Sequence, residues 1–483
     1  MFRKIIKVSF KKKYLFILFV ILHIAGFASS IDAVMSTRTS QGAIAWVVSL
    51  NTFPSVALPA YWLLGRSEFK GYVKARREDV SDLTHITEKF RSINTQLLSK
   101  LSDRYSAIRA AELLAEMPTL TGNSSQLLID GPKTFASIFD GIEKAQKYIL
   151  VQFFIVKDDN LGRKFKSKLI DKARQGVLVY FLYDEVGSHG LPKSYLDDMR
   201  AEGITAVNFH SRKGPGNRFQ INFRNHRKVV LVDGSVCWVG GHNVGDEYLG
   251  KGPKFSHWRD THLKIKGPAT LAVQLSFLED WHWATDSIIE LDWTTALAPQ
   301  GDQHVLIIPT GPADQFETAG LMYTHAINSA QRRLWIASPY FVPDEGIISA
   351  LQLAALRGVD VRILIPDEPD HKLVYLAAFS YLKEVGKSGV KFYRYTKGFM
   401  HQKVMLIDDY VSAIGTANFD NRSFRLNFEL TSLIADPDFN AKVERMLQED
   451  FRNARIMELD ELDEKSFWFM LMVRLARLSA PIL

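Results

Sequence analysis

The distribution of hydrophobic and polar positions divides the chain into an apolar start and a longer body of alternating segments. Residues 14–31 are uncharged and mostly apolar, and residues 43–64 form a second uncharged run. At 18 and 22 residues, both runs reach the roughly 20 residues that an α-helix needs to cross a bilayer. The pattern therefore predicts a membrane anchor over residues 1–65, built from two transmembrane helices.

Basic residues beside the two runs predict the orientation of this anchor. Lys and Arg are concentrated before the first run and after the second, whereas the link between them holds only Asp32 and Arg38 as charged residues. Because positively charged flanks stay in the cytoplasm, we expect the body on the cytoplasmic side. An alternative stays open, in which residues 1–30 are a cleaved signal peptide and the second run still leaves the body inside.

The body has the pattern of an α/β protein. An amphipathic helical stretch predicts a linker over residues 66–120, after which β-rich apolar runs alternate with helical segments. Near the end, residues 467–478 form an apolar run with Arg474 and Arg477 on one side. This run predicts either a core helix or, as we favour, an amphipathic membrane-associated helix.

Three segments of the body recur in the same order, which indicates a duplicated domain. The matching pairs are 145–159 with 330–345, 176–184 with 358–367, and 226–233 with 401–408. A stretch rich in Pro, Gly and Gln near residues 296–303 breaks the pattern between the copies. We therefore expect two pseudo-symmetric lobes, residues 121–298 and 299–483, that face each other.

Composition narrows the classes of protein that remain. Cys237 is the single cysteine, which excludes a disulfide scaffold and a multi-cysteine zinc site. The 31 Phe, 16 Tyr and 9 Trp residues exclude a disordered chain. A net charge of +7 suits an anionic partner, either nucleic acid or an acidic lipid surface.

The strongest signal is a five-residue pattern that occurs once in each lobe. Each member is separated from its counterpart by 175 positions, so the internal spacing is identical in the two copies. The pairs are His226 and His401, Lys228 and Lys403, Asp233 and Asp408, Gly240 and Gly415, and Asn243 and Asn418. The apolar run after each His-x-Lys predicts a β-strand on which the His and the Lys share a face. A pseudo-twofold axis would bring both copies into one pocket.

Two imidazoles, two ammonium groups and amide donors suit a tetrahedral anion, and therefore phosphoryl chemistry. One imidazole can attack phosphorus, and the other can protonate the leaving oxygen, because a histidine pKa near 6.5 permits both roles at neutral pH. The Lys and Asn groups would stabilise charge on the phosphoryl oxygens. The two aspartates have a second interpretation, as turn residues that hold a loop.

The duplicated pattern H-x-K-x4-D-x6-G-[GT]-x-N resembles that of the phospholipase D superfamily. Further motifs are similar to those of bacterial cardiolipin synthases: Tyr183-Asp-Glu-Val-Gly-Ser, Trp258-Arg-Asp-Thr-His, Ser338-Pro-Tyr-Phe-Val-Pro-Asp-Glu and Asn418-Phe-Asp-Asn-Arg-Ser-Phe. The resemblance covers essentially the whole chain. It implies an α/β fold of two tandem phospholipase D-type lobes with one active site at their interface.

The same resemblance implies a phosphatidyltransferase of the bacterial inner membrane. Two phosphatidylglycerols would give cardiolipin and glycerol through a phosphohistidine, without a metal or other cofactor. Phosphatidylglycerol and anionic membrane lipids would be its partners, and nucleic acid would not. The catalytic residues carried over by position are His226, Lys228, Asp233, His401, Lys403 and Asp408. The supporting residues are Asn243, Asn418, Asp260 and Glu429.

The roles of the two histidines are also carried over from the family. His226 is expected to be the nucleophile and His401 the acid and then the base, although the copies are symmetric and the reverse stays open. Each histidine needs an orienting carboxylate. By resemblance this is Asp260 for His226 and Glu429 for His401.

Other functions and other polar residues stay open from the sequence. A nucleic-acid phosphodiesterase could use the same pocket, but the apolar segments and the lack of a dense basic stripe argue against it. The acceptor alcohol, the ratio of transfer to hydrolysis and the oligomeric state are not predicted. Arg422 and Arg425 could bind a second lipid phosphate or lie on the surface, and Asp184 and Asp344 follow strands at positions where pockets form.

Overall fold

A computed structural model describes most of the chain as two compact units. The described residues are 2–65, 69, 72, 97–98, 106–209, 222–294, 297–298, 301–461 and 463–483. The first unit comprises residues 1–71 and 211–223, and the second comprises residues 72–210 and 224–483. Much of the linker predicted over residues 66–120 lies outside the described residues. Its described part contains helix α4 (Ser106–Ala115).

The first unit contains three helices near the N-terminus. They are α1 (Phe2–Ser36), α2 (Ser40–Thr52) and α3 (Pro54–Leu64). Residues 13–36 of α1 are long and apolar enough to cross a membrane, and no other helix in the described part of the chain meets that test. Gly26 of α1 approaches the Leu50 carbonyl so closely that a methyl group would not fit. The Tyr61 hydroxyl donates a hydrogen bond to Asp32 at 2.7 Å, which also ties the helices together.

The second apolar run is not one helix, so the prediction of a continuous helix over residues 43–64 is wrong. Helix α2 ends at Thr52 and α3 begins at Pro54, with Phe53 between them at φ −131° and ψ 59°. Proline has no backbone N–H and disfavours helical geometry in the residue before it. The break follows from Pro54, and a second membrane crossing stays a prediction.

The second unit is built around one large sheet. The elements of its first half are β1 (Leu120–Ile129), α5 (Asp130–Lys144), β2 (Tyr148–Phe153), α6 (Asn160–Arg174), β3 (Leu178–Tyr183), α7 (Lys193–Ala201), β4 (Thr205–Asn208), β5 (Arg224–Asn225), β6 (Val229–Val232), β7 (Val236–Gly240), a 3₁₀ helix (Asp246–Leu249), β8 (Trp258–Arg259), β9 (Thr261–Lys266) and α8 (Ala269–Thr285).

The second half repeats this order of elements. They are β10 (Gln303–Thr310), α9 (Thr318–Ser329), β11 (Arg333–Ala337), β12 (Phe341–Val342), α10 (Glu345–Leu356), β13 (Asp360–Pro366), α11 (Lys372–Gly386), β14 (Lys391–Tyr395), β15 (Phe399–Met400), β16 (Val404–Ile407), β17 (Val411–Gly415), β18 (Phe419–Asp420), α12 (Asn421–Arg425), β19 (Asn427–Ala435), α13 (Pro437–Arg452), β20 (Ala454–Ile456), α14 (Phe467–Arg477) and a 3₁₀ helix (Ala480–Ile482).

The strand order shows the duplication directly. The order β7-β6-β2-β3-β4 in one half matches β17-β16-β11-β13-β14 in the other, and antiparallel pairing of β1 with β10 joins the halves. Strands β2, β3 and β4 are parallel, as are β11, β13 and β14. Every residue of β2 and of β19 is buried, as expected for strands covered on both faces. The predicted α/β fold of two similar lobes is confirmed.

Two short strand pairs cross between the lobes and position the site. Strand β5, just before His226, pairs in parallel with β19 of the second lobe. Strand β15, just before His401, pairs in parallel with β8 of the first lobe. Each histidine therefore enters the structure along a strand of the opposite lobe.

Candidate active site

The two His-x-Lys segments lie immediately before strands β6 and β16 rather than on them. The strands begin at Val229 and Val404, one residue after each lysine. The sequence prediction that His and Lys share a strand is therefore corrected to the approach to the strand. In each copy the apolar run forms the buried strand, and the polar His-x-Lys segment lies at the N-terminal end of that strand.

The His226 imidazole is held by a carboxylate of the second lobe. Its Nδ1 lies 2.8 and 2.9 Å from the two Glu429 oxygens. Glu429 in turn accepts hydrogen bonds from the Thr416 hydroxyl at 2.6 Å and the Asn427 amide at 3.2 Å. The Phe154 ring packs edge-on against the imidazole at 4.9 Å between ring centres. Because Nδ1 is engaged, Nε2 is the nitrogen left for chemistry.

The His401 imidazole is held in the same way by the first lobe. Its Nδ1 lies 2.8 Å from Asp260 Oδ2, and the backbone N–H of Thr261 donates to the other carboxylate oxygen at 2.7 Å. The Trp258 ring lies 5.2 Å from the imidazole centre. A side chain at Gly241 would collide with the Asp260 carboxylate, since its Cβ would lie 2.0 Å from Oδ1. The lack of a side chain at Gly241 therefore leaves the space that the Asp260 carboxylate occupies.

The pairing of carboxylates with histidines is the reverse of the sequence expectation. Glu429 serves His226 and Asp260 serves His401, so the expected pairs within each lobe are wrong. The crossed strands are the physical reason. The His226 N–H donates to Phe428 O at 2.9 Å and the His401 N–H donates to Arg259 O at 2.8 Å, and the residue after each acceptor is the carboxylate.

Burial sets the charge state of the histidines. Their side chains are 10% and 9% exposed. Burial lowers the pKa of His226 to about 4, with Glu429 opposing this shift and Lys228 and Lys403 adding to it. Burial and Lys403 hold the pKa of His401 well below its usual range. The lysine of each lobe lowers the pKa of the histidine in the other lobe, so the two halves of the site interact electrostatically.

The two lysines are buried and partly deprived of their usual proton affinity. Burial lowers the pKa of Lys228 to about 7 and that of Lys403 to about 8, although the nearby carboxylates Glu429 and Asp260 oppose the shift in both. Each ammonium donates to the backbone carbonyl of its own histidine at 2.6 Å. A phosphate anion would raise both pKa values by favouring the charged form. The site is therefore electrostatically suited to an anion.

The two carboxylates respond differently to the same burial. Burial acts to raise the pKa of Glu429, but His226 and Lys228 outweigh it and the pKa is lowered. Burial raises the pKa of Asp260, although His242 and Lys403 oppose this. The carboxylate behind His226 is thus the more firmly ionised of the two.

The motif asparagines differ in their surroundings. Asn243 is fully engaged, since its Oδ1 accepts from the Ile155 N–H at 3.1 Å and its Nδ2 donates to the Tyr248 hydroxyl at 3.0 Å. The side-chain oxygen of Asn418 is buried and has no hydrogen-bond partner among the described residues. Asn418 is therefore the asparagine with capacity left for a ligand.

The motif aspartates lie at the far ends of the strands from the histidines. Asp233 accepts hydrogen bonds from the backbone N–H groups of Gln146, Lys147 and Tyr148. Asp408 does the same for the three residues that begin at Gln331. Both adopt positive φ, 52° and 49°. Their contacts are those of turn residues, so the structure corrects the expected catalytic role.

The remaining polar candidates have structural partners. Asp184 accepts from the backbone N–H groups of Val186, Gly187 and Asn225. Asp344 caps α10 through the Ile347 N–H and also pairs with Arg425. The Arg422 guanidinium donates to the Ile482 carbonyl at 3.1 Å. These contacts hold loops and the C-terminal end rather than a phosphate.

Residues that sequence reasoning missed also shape the site. The sequence does not predict the Thr416 hydroxyl, which binds Glu429, or the rings of Phe154, Trp258 and Tyr248, which pack against the two imidazoles. The one available signal was the difference between Gly241 and Thr416 at equivalent motif positions. Among the described residues, no three or more His, Cys, Asp or Glu side chains are grouped to hold a metal ion.

A duplicated α/β fold with two His-x-Lys segments and two crossed carboxylates defines the phospholipase D class of phosphodiester-processing proteins. The sequence profile described as "Cardiolipin synthase, PLD-like domain" matches residues 138–281 and 323–451. The chain belongs to this cardiolipin synthase family.

Full-length relatives agree with the family assignment. Cardiolipin synthase A of Pseudomonas putida (strain GB-1) is 48% identical over 467 residues, covering 96% of this chain and 97% of the relative. Cardiolipin synthase A of Pseudomonas fluorescens (strain Pf-5) is 46% identical over 471 residues, with 96% and 98% covered. The crystal structure of a phosphatidylserine synthase from Haemophilus influenzae matches with a TM-score of 0.59 at 16% identity, covering 78% of this chain and all of that one. That likeness supports the fold.

Proposed function

We propose that the protein is a cardiolipin synthase that transfers a phosphatidyl group from one phosphatidylglycerol to the terminal hydroxyl of another. The products are cardiolipin and glycerol. The observation that carries the proposal is the pair of histidines, each fixed through Nδ1 by a carboxylate of the other lobe at 2.8 Å. Full-length relatives that carry the name cardiolipin synthase A support the identity of the reaction.

In the first step, the phosphatidylglycerol phosphodiester lies between the two lysine ammonium groups. Nε2 of His226 attacks phosphorus, and the bond from phosphorus to the glycerol headgroup oxygen breaks. His401 gives its proton to that oxygen, so free glycerol leaves and a phosphatidyl–His226 phosphoramidate, with a P–N bond to Nε2, remains. The low pKa of His226 keeps its imidazole neutral and nucleophilic at neutral pH.

His401 must be protonated for this step, and the charge of the bound substrate favours its protonation. Burial lowers the pKa of His401, and Lys403 and Lys228 lower it further. A bound phosphodiester carries a negative charge that offsets the two lysines, and this raises the pKa of both imidazoles. The buried Asp260 carboxylate then stabilises the imidazolium of His401.

In the second step, the neutral His401 removes a proton from the hydroxyl of a second phosphatidylglycerol. The hydroxyl oxygen attacks phosphorus, and the bond to His226 breaks. His401 ends this step with the proton that it lost in the first step, and His226 is free again. The ammonium groups of Lys228 and Lys403 face the charge on the phosphoryl oxygens in both steps, and the Nδ2 amide of Asn418 is a further donor to them.

The assignment of His226 as nucleophile rests on two features of its surroundings. Glu429 approaches its Nδ1 through both oxygens and is also bound by Thr416 and Asn427. A firmly ionised partner suits the imidazole that carries the phosphoryl group. Asp260, whose pKa is raised by burial, serves the imidazole that exchanges protons.

We also infer that the protein works at the inner membrane with its catalytic unit on the cytoplasmic side. The apolar stretch over residues 13–36 and the basic residues around the N-terminal helices support this placement. Phosphatidylglycerol then reaches the site from the cytoplasmic leaflet of the inner membrane.

The test is turnover by the purified full chain in detergent micelles that contain isotope-labelled phosphatidylglycerol, with the products resolved by mass spectrometry. We expect cardiolipin and glycerol in equal amounts. His226→Ala and His401→Ala should each lose turnover by about 10²-fold or more, whereas His189→Ala, an exposed histidine, should keep it. Phosphatidic acid as the main product, or full activity in either active-site variant, would contradict the proposal.

A further inference from the structure

A groove of about 590 Å³ lies on the second lobe, lined by the end of α10, by α11 and by α14. It contains none of the motif residues. Its positive charges are Lys383, which is paired with Asp463, and Lys387 and Arg474. Its one acidic lining residue is Glu384.

The charges of this groove do not cancel. Glu384 is engaged by Arg477 at 3.2 Å, which lies on the helix that forms one wall. The side chains of Lys387 and Arg474 have no ion pair or hydrogen bond with any residue that the structure describes. Two cations therefore face the groove with no counter-charge.

The wall formed by α14 also presents an apolar stripe to solvent. The exposed side chains recur at helical spacing and are between 37% and 77% exposed: Phe467, Trp468, Leu471, Met472, Leu475 and Leu478. The opposite face is packed on the lobe, where Val473 and Ala476 are buried and Phe469 contacts the Phe379 ring at 5.5 Å. The helix is thus held firmly on one side and bare on the other.

The stripe and the cations are neighbours. Arg474 lies three residues after Leu471 and four before Leu478, at the border of the stripe on the helix surface. Leu356, at the end of α10, is 73% exposed beside the same groove. Exposed apolar side chains bordered by unpaired cations match the boundary between acyl chains and anionic headgroups.

We propose that this groove is a second lipid-binding site, in which Lys387 and Arg474 bind the phosphate of an anionic phospholipid while the stripe of α14 lies in the leaflet. The occupant is a membrane lipid rather than a soluble anion, because acyl chains would bury the exposed apolar stripe and a soluble anion would not. The inference rests on the proposed function only in that a lipid substrate brings the catalytic unit to a bilayer. The site anchors the second lobe independently of the N-terminal helices.

The test uses the full chain in nanodiscs with a fluorescent probe on α14. Leu475→Cys provides the single attachment point, because Cys237 is fully buried. The probe is an environment-sensitive dye, and the phosphatidylglycerol content of phosphatidylcholine nanodiscs is raised stepwise. We expect a blue shift and quenching by brominated acyl chains that saturate as phosphatidylglycerol increases.

The charge-reversed pair Lys387→Glu with Arg474→Glu should raise the phosphatidylglycerol content at half-saturation about tenfold or more. The matched pair Lys133→Glu with Lys193→Glu changes the same charge at exposed positions of the first lobe and should not. The proposal is overturned if the dye shows no blue shift in any nanodisc. It is also overturned if the blue shift depends neither on the phosphatidylglycerol content nor on the charge-reversed pair, or if inorganic phosphate reproduces the response without phosphatidylglycerol.

Turnover in detergent separates this result from the proposed function. The reversed pair leaves the active site untouched, so it should make cardiolipin in micelles at the rate of the unmodified chain. Loss of cardiolipin synthesis by the unmodified chain in micelles would refute the function, whereas an unresponsive dye on an active enzyme would refute only the groove.

Discussion

Glu429 and Asp260 each hold the histidine that belongs to the other half of the repeat, at 2.8 Å from its Nδ1. A residue in one lobe therefore fixes the tautomer and orientation of an imidazole in the other. This arrangement makes the two lobes dependent on each other at the level of single side chains. Neither lobe contains a histidine and its own carboxylate partner.

The crossed pairing predicts which variants behave alike. With a phosphatidyl ester of p-nitrophenol, the leaving group needs no acid, so His401→Ala and Asp260→Asn should keep a burst of p-nitrophenol and lose steady turnover by about 10²-fold or more. His226→Ala and Glu429→Gln should lose the burst. Stopped-flow absorbance measures both phases. Pairing within each lobe would instead make Asp260→Asn behave like His226→Ala.

The lysines predict an alkaline limit on activity. With pKa values of about 7 for Lys228 and about 8 for Lys403, both are charged below these values and lose their charge as the pH rises through them. We expect kcat/KM to fall between about pH 7 and 9. The fall in kcat should come at higher pH, because bound phosphodiester raises both pKa values. Initial rates across pH check this, and a profile that stays flat to pH 10 would contradict it.

At the level of elements, β6 and β16 bring the histidine to one end and the motif aspartate to the other. The aspartate closes the turn before β2 or β11 by accepting three backbone N–H groups. Its place in the motif thus reflects the fold of the strand pair. Identical spacing in the two lobes comes from identical turns as well as from shared chemistry.

The turn role predicts a loss of stability rather than of chemistry. Asp233→Ala and Asp408→Ala each remove an acceptor of three N–H groups, so each should lower the free energy of unfolding by about 2–4 kcal/mol. Asp233→Asn, which tolerates positive φ, should cost less. Thermal unfolding and the p-nitrophenol burst per folded enzyme measure the two effects. An unchanged Tm with a lost burst would restore a catalytic role.

The sequence could predict the elements that depend on local pattern. The separation of 175 positions placed both His-x-Lys segments in one site, and the apolar runs after them predicted β6 and β16. Pro54 carried enough information to predict the break in the second apolar run, but hydropathy alone hides it. The pairing of Glu429 with His226 was out of reach, because it depends on strands that cross between lobes, and sequence distance does not encode that crossing.

On the scale of the whole molecule, one unit carries the N-terminal helices and the other carries both lobes. The motif residues all lie in the second unit. Chemistry and membrane attachment are therefore separable in principle, and the lipid contact proposed for the exposed stripe of α14 would give the second unit an attachment of its own.

Deletion of residues 1–64 tests this separation. We expect the truncated chain to keep its rate in detergent micelles, since no motif residue is lost, and to slow by about tenfold or more on bilayers, where anchoring raises the local concentration of substrate. Rates in micelles and in vesicles of the same lipid give the comparison. Equal slowing in both, from a folded protein, would show that the first unit contributes to the chemistry.

The central claim is a covalent phosphatidyl–histidine that passes to a second lipid. The direct measurement is acid quenching of the full chain during turnover of labelled phosphatidylglycerol, followed by peptide mass spectrometry and a chase with unlabelled phosphatidylglycerol. The account predicts a phosphatidyl group on His226 that moves into cardiolipin during the chase. Cardiolipin formed at the normal rate with no adduct on either His226 or His401 would contradict it.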